Sequence, residues 1–252
     1  MNLSAYLQPD CALFLDFDGT LVDIAPRPEA VVVPGELIAT LQALHTHLDG
    51  AVAVISGRPI EQIDALLAPV RLPVAGVHGA ERRSANGHLV LVDVPSAARV
   101  HAAAQTLARQ HPGLRVELKR GSVALHYRQA PALEAVCMAA MRSAVAASPG
   151  LTLLRGKMVL EAKPSGVSKG HAIEAFLDEP PFKGRTPIFI GDDVTDEAGF
   201  DAVQRLGGVA VKVGEGATVA THRMAHPSEM REQLRAVLAH QSQQDSDTES
   251  RP

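Results

Sequence analysis

Residues 12–21 read Ala12-Leu13-Phe14-Leu15-Asp16-Phe17-Asp18-Gly19-Thr20-Leu21. The apolar run 12–17 ends in acids and is followed by glycine, the pattern of a buried parallel strand running into a loop. Asp16 and Asp18 are two apart, so they share a side if the strand continues. Two carboxylates so close repel unless a cation or a proton intervenes. A divalent metal would supply the first, and a protonated Asp18 the second. Gly19 frees the backbone to turn beneath a ligand.

The rest of the chain extends this reading. A helix is expected over 34–48, where Leu37, Ile38, Leu41 and Leu44 recur at helical spacing. Strands are expected at 51–55 and 72–77, with a helix opening at Pro59 between them. This βαβαβ order argues for a parallel sheet. Asn86-Gly87 between 81–84 and 88–92 is a hairpin signal. The middle then changes character. A helix over 95–110, extended runs at 114–118 and 122–128, a helix over 131–147 and extended runs at 151–154 and 158–162 describe a small antiparallel sheet covered by two helices. The alternating pattern resumes with helices at 168–177, 195–203 and 227–240 and strands at 187–190 and 208–213. The expected fold class is α/β, a Rossmann-like parallel-sheet core interrupted by an α+β insertion. The expected division is a core of 1–92 and 164–240, an inserted unit of 93–163, and a polar, disordered tail of 241–252.

Composition narrows the function classes. The 252 residues carry 24 basic and 28 acidic side chains, a net charge of −4. No basic patch marks a nucleic-acid partner. No apolar stretch is long enough for a membrane span, and the N-terminus has neither the basic nor the apolar region of a signal peptide. The two cysteines, Cys11 and Cys137, fit no metal spacing and read as reduced buried thiols, so a cytoplasmic setting is expected. Nothing in the sequence sets the oligomeric state.

Three further signals lie at strand ends or helix starts. Gly191-Asp192-Asp193-Val194-Thr195-Asp196-Glu197 follows an apolar strand. Hard oxygen ligands there suit Mg²⁺; Asp192 is the first choice of ligand, with Asp193 and Asp196 as second choices. Helix capping accounts for one or two of these acids, but not for all of them. Ser56-Gly57-Arg58 precedes a helix and offers a hydroxyl and free backbone N–H groups to an anion. Lys169 sits at a helix start, where a cation opposes the helix dipole and needs a partner, either a phosphate or the acid cluster. In open α/β sheets such positions converge at the carboxyl ends of the strands.

The order of nucleophilic acid, hydroxyl, lysine and acid cluster resembles the haloacid dehalogenase (HAD) superfamily. Within it the chain is similar to the trehalose-6-phosphate phosphatase family. The similarity is carried by 13–21, 53–59, Val77-His78-Gly79-Ala80, Leu125-His126-Tyr127-Arg128, 156–161, Lys163-Pro164 with Ser168-Lys169-Gly170, and 191–197. The resemblance implies hydrolysis of a sugar phosphate, trehalose 6-phosphate, through an aspartyl phosphate. It implies Asp16 as nucleophile and Asp18 as general acid and base. Mg²⁺ would be held by Asp16, the Asp18 carbonyl and Asp192. Ser56 and Lys169 would hold the phosphoryl oxygens, and Thr20 would orient Asp18 or its loop. The inserted unit would be a cap that reads the sugar through Lys119, Arg128, Lys157 and Glu161, with Arg58 and His78 on the core rim. Lys157 and Glu161, four apart, share a face if both lie in a strand. His126 has a simpler reading as a satisfied core histidine. Other readings keep the chemistry with a different sugar ester such as sucrose 6-phosphate, make the protein a phosphomutase, or make it a non-catalytic sugar-phosphate sensor.

Overall fold

The computed structural model describes residues 2–249, and the side chains of residues 2–239. In chain order the first half contains β1 (Cys11–Leu15), α1 (Gly35–His47), β2 (Val52–Ile55), α2 (Ile60–Leu67), β3 (Val74–Gly76), β4 (Glu81–Arg83) and β5 (Leu89–Leu91). The middle contains α3 (Ala98–Gln110), β6 (Arg115–Lys119), β7 (Ser122–His126), α4 (Glu134–Ala146), β8 (Leu151–Gly156) and β9 (Val159–Pro164). The chain then adds α5 (Lys169–Leu177), β10 (Thr186–Gly191), α6 (Glu197–Arg205), β11 (Val209–Val213), β12 (His222–Met224) and α7 (Pro227–Glu249). α7 runs on to Glu249, past the expected helix end at 240 and into the tail expected to be disordered; 250–252 lie outside the described residues.

Among the described residues, eight strands form one sheet in the order β12-β11-β10-β1-β2-β3-β4-β5. It is parallel from β12 to β3, and the β4–β5 hairpin adds an antiparallel edge. Every residue of β1 and β2 is buried. That is why these strands read as unbroken apolar runs: helices cover both faces. From β1 the chain builds outward to β2 and β3 on one side and returns as β10 and β11 on the other. β1 is therefore the topological switch point, and a crevice opens at its carboxyl end. Asp16 is the next residue.

The two units have different cores. All six phenylalanines are fully buried in the large unit. Phe14, Phe176 and Phe182 form one set with centroids 5.0–6.0 Å apart, and Phe189 meets Phe200 at 5.3 Å. The smaller unit packs α3 and α4 on a sheet ordered β6-β7-β9-β8. Its core is aliphatic, with Tyr127, Met141 and Cys137. Alternation decides which side chains look elsewhere. Val123, Leu125, Leu160 and Ala162 enter that core, so Ala124 and Glu161, paired in register with each other, face the opposite side with Glu117.

The structure corrects three local expectations. β9 begins at Val159, so Lys157 and Met158 form the turn of a tight hairpin, with Met158 at φ 62°. Lys157 and Glu161 do not share a strand face. β1 ends at Leu15, so Asp16 and Asp18 diverge in the following loop rather than along a continuing strand. β12 was not expected: three residues of mixed polarity at a sheet edge carry no periodic signal.

Candidate active site

The floor of the crevice is a set of buried charges. Asp16 is 4% exposed and Lys169, the first residue of α5, is 2% exposed. Lys169 Nζ donates to Asp16 Oδ1 at 2.6 Å and to Asp196 Oδ1 at 2.7 Å. Thus the acid cluster is the partner that a cation at a helix start requires, and Asp16 joins it. Burial works against the Lys169 charge, but Asp16 and Asp196 outweigh it and hold the ammonium well above the ordinary lysine range. Burial, reinforced by the Asp196 charge, pushes the Asp16 carboxyl upward against the pull of Lys169. Thr20 Oγ1 donates to Asp16 Oδ2 at 3.3 Å. Thr20 therefore orients Asp16, not the side chain of Asp18.

Asp18 has a different cation. Arg58 forks onto it, Nε to Oδ2 at 2.6 Å and Nη2 to Oδ1 at 2.7 Å. A cation stands at each of the two acids: Lys169 at Asp16 and Arg58 at Asp18. Arg58 Nη2 also donates to the Pro28 carbonyl at 3.0 Å, and the guanidinium lies over Phe17 at 5.7 Å. Ser56 is buried beside them, its Oγ accepting from Arg58 N at 3.1 Å. The N-terminus of α2 is not an open anion seat, because Glu81 Oε1 accepts from Ile60 N at 2.6 Å. The anion-binding capacity of this corner rests on Ser56 and its neighbours.

Asp192 and Asp196 occupy the loop after β10. Asp196 Oδ2 accepts from the backbone N–H groups of Asp192 and Asp193 at 3.0 and 2.9 Å. With Oδ1 on Lys169, both of its oxygens are engaged and it organises the loop. Asp193 is half-buried and closes the same capping box. The Asp192 carboxylate lies against Gly19, where an added Cβ would meet Oδ2 at 2.2 Å. Gly19 has φ 86°, so both its backbone and this contact require glycine. Burial and the Asp196 charge raise the Asp192 carboxyl. Among the described residues, Asp16, Asp192 and Asp196 each present an oxygen within 4.8 Å of the others. All-oxygen donors at this spacing suit a hard divalent cation.

The smaller unit roofs the crevice. Glu161 Oε2 meets His78 Nε2 at 3.0 Å and Oε1 meets Lys119 Nζ at 3.5 Å. Burial alone would raise the Glu161 carboxyl; Lys119 and His78 outweigh it and hold it well below the usual range. His78 is buried at φ 57° and carries the contact from the large unit. Lys157, from the β8–β9 turn, reaches Asp192 Oδ2 at 2.5 Å. Arg128 donates to the Lys157 carbonyl at 3.1 Å. The resulting cleft, with about 200 Å³ of free space, brings together Asp16, Asp18, Ser56, Arg58, His78, Lys119, Arg128, Lys157, Glu161, Lys169, Asp192 and Asp193. Asp196 lies behind Lys169 and outside the lining.

Sequence reasoning passed over three contributors. His126 is not a core residue: it lines the cleft and pairs with Glu117 at 3.0 Å. Burial raises the Glu117 carboxyl, but His126 and Lys119 outweigh it and lower it. The i, i+2 spacing of Glu117 and Lys119 beside Val116 was the available signal. Lys212 is buried and its Nζ donates to the Asp192 carbonyl at 2.5 Å; a lysine inside the apolar run of β11 was the signal there.

A mostly parallel sheet with acids at its switch point and an α+β unit inserted after the hairpin is a fold shared with a phosphatase of the haloalkanoate (HAD) superfamily from Bacteroides thetaiotaomicron, at a TM-score of 0.61 and 18% identity. Residues 14–233 match the trehalose-phosphatase family. The chain is 50% identical over 216 residues to trehalose-6-phosphate phosphatase of Escherichia coli K12, covering 85% of this chain and 81% of that one. The C-terminal domain of trehalose-6-phosphate phosphatase from C. albicans superimposes with a TM-score of 0.82 over 91% of this chain and 92% of that one, at 23% identity, a likeness of fold. A trehalose-6-phosphate phosphatase related protein, 30% identical, superimposes with a TM-score of 0.72 over 92% of this chain and 99% of that one. The chain belongs to the trehalose-phosphatase family.

Proposed function

We propose that this protein hydrolyses trehalose 6-phosphate to trehalose and phosphate, with Mg²⁺, through a phosphoryl group carried on Asp16. The observation that carries this reading is the buried Asp16 carboxylate, held by Lys169 at the base of a cleft whose roof is lined with charged side chains. The half-identical E. coli relative supports the choice of sugar. The working division is a core of 1–92 and 164–240 closed by a cap of 93–163, in a cytoplasmic setting that the two free buried cysteines fit.

In the first step an Asp16 oxygen attacks phosphorus and the bond from phosphorus to the sugar oxygen breaks. Asp18, protonated on an oxygen that Arg58 releases in the substrate complex, gives that proton to the sugar oxygen. In the second step water attacks the same phosphorus, Asp18 takes its proton, and Asp16 leaves as a carboxylate. Both Asp18 oxygens are held by Arg58, so Arg58 yields at least one of them when the substrate enters. Ser56 and Lys169 hold the phosphoryl oxygens. Asp16, Asp192 and the Asp18 carbonyl would hold Mg²⁺, with Asp193 and Asp196 in support, and the bound ion would neutralise phosphoryl charge. Lys119, Arg128, Lys157 and Glu161 of the cap, with Arg58 and His78, would receive the sugar hydroxyls.

Phosphate release across trehalose 6-phosphate, sucrose 6-phosphate and glucose 6-phosphate tests the substrate. The expected outcome is a kcat/KM for the trehalose ester at least about tenfold above the others. Equal rates on all three would overturn the choice of sugar, and absence of release from any would favour a sensor.

A further inference from the structure

The two walls of the cleft differ in chemistry. The cap side presents mainly polar groups, Glu117, Lys119, His126, Arg128, Lys157 and Glu161, with Leu154 and Val159 as its apolar side chains. The core segment 24–31 presents Ile24, Ala25, Pro26, Pro28 and Val31, with Arg27 as its one charged side chain in the lining. Among the described residues no Phe or Tyr ring lines this cleft.

The segment is held in place at both ends. Arg231 binds the Leu21 carbonyl at 3.1 Å and Asp23 at 3.2 Å. Arg58 binds the Pro28 carbonyl, and Glu29 pairs with Arg115 of the cap. Pro26 and Pro28 remove backbone freedom between these ties. Val31 and Val33 pack on the core of the large unit, but Ile24 belongs to no such cluster. Ile24 stays 42% exposed, a branched aliphatic side chain at the mouth of a charged cleft.

A sugar ring has the same two-sided character: hydroxyls at its edge and C–H groups on its faces. Charged groups on one wall can satisfy the hydroxyls, and an aliphatic wall opposite removes the C–H face from water. From this juxtaposition we infer that Ile24, with Pro26 beside it, is the platform on which the apolar face of the substrate sugar packs. Ile24 is thus a specificity-determining residue, and the segment does the work that an aromatic ring does in other sugar sites. This inference rests on the sugar-phosphate reading above and adds a residue to it.

The test compares Ile24→Ala and Ile24→Asp with the parent enzyme, on the sugar phosphate that the parent prefers and on acetyl phosphate, which has no sugar face. Val32→Ala, next to the segment but 78% exposed and outside the cleft lining, is the control. Ile24→Ala should raise KM for the sugar ester about tenfold with kcat nearly unchanged, and Ile24→Asp should raise it further. Acetyl phosphate kinetics and Val32→Ala should stay within about twofold of the parent. An unchanged KM for the sugar ester in both Ile24 variants would overturn the inference. An equal loss on both substrates would also overturn it, because Ile24 would then act on the phosphate site. If the parent prefers a sugar ester other than trehalose 6-phosphate, the substrate reading falls, and the KM ratio on the preferred ester still decides the role of Ile24.

Discussion

The floor and the roof of the cleft are both lined with charge, but they are built differently. On the floor, Lys169 sits 2.6 and 2.7 Å from two carboxylates, and all three side chains are buried. On the roof, His78 meets Glu161 at 3.0 Å in a buried pair, but Lys119 lies 3.5 Å from Glu161 and 3.9 Å from Glu117, and Lys157 and Arg128 hang from a turn and a strand end. Buried ion pairs are costly to break and hold one geometry. The longer Lys119 contacts and the half-exposed Lys157 leave room to exchange partners. A rigid floor suits a phosphoryl group whose charge must meet fixed dipoles. An adjustable roof suits a sugar that must enter, be read and leave.

Removing a floor charge should break this contrast most severely. Lys169→Met leaves Asp16 and Asp196 buried without their shared cation. Activity should fall at least about 10³-fold, and the metal-free protein should lose about 3–5 kcal/mol of stability, read by denaturant unfolding in chelator. Retention of the parental stability would show that the floor is not held by this lysine.

Gly19→Ala should have the next largest effect. The new Cβ meets the Asp192 carboxylate on a backbone at φ 86°. Asp192 must shift, so Mg²⁺ affinity, measured by calorimetry, should weaken about tenfold or more. Unchanged affinity would detach Asp192 from the metal.

Glu161→Gln, on the roof, should act mildly on chemistry and more on binding. KM for the sugar ester should rise about tenfold, with a smaller change in kcat. It also carries a pH signature. The folded Glu161 carboxyl is held low by Lys119 and His78 against the effect of burial. A depressed carboxyl contributes stability that is fully present above the unfolded value of about 4.3 and is lost as pH falls through the folded one. The stability gap between the parent and Glu161→Gln should therefore be flat from about pH 7 to 5 and shrink only below about pH 4. A gap that closes near neutrality would contradict the pairing.

The same contrast explains what was legible in the sequence. The floor comes from strand ends and helix starts. Apolar runs such as Cys11–Leu15 and Thr186–Gly191 point to their own acids, so Asp16, Asp192, Ser56 and Lys169 were identifiable before any coordinates. Their partners were less accessible. Arg58 grips Asp18 from 40 residues away and Lys169 reaches Asp16 from 153 away. No local pattern encodes which acid a donor will hold, which is why Thr20, expected to orient Asp18 or its loop, is found on the Asp16 carboxylate, and why the Arg58 fork was missed. The roof depended on register. A hairpin turn placed one residue off moved Lys157 from a strand face to a turn and onto Asp192. His126 ends β7, where its partner Glu117 is set by strand pairing rather than by spacing.

Everything proposed for the cleft depends on Asp16 carrying the phosphoryl group. Enzyme mixed with excess trehalose 6-phosphate and Mg²⁺, quenched in acid within the first turnover and digested, locates that group by peptide mass spectrometry. One phosphoryl group is expected on the peptide spanning Asp16, absent from the Asp16→Asn protein. Phosphate released in the same interval with no phosphoryl group on that peptide, or with one on another residue, would contradict it.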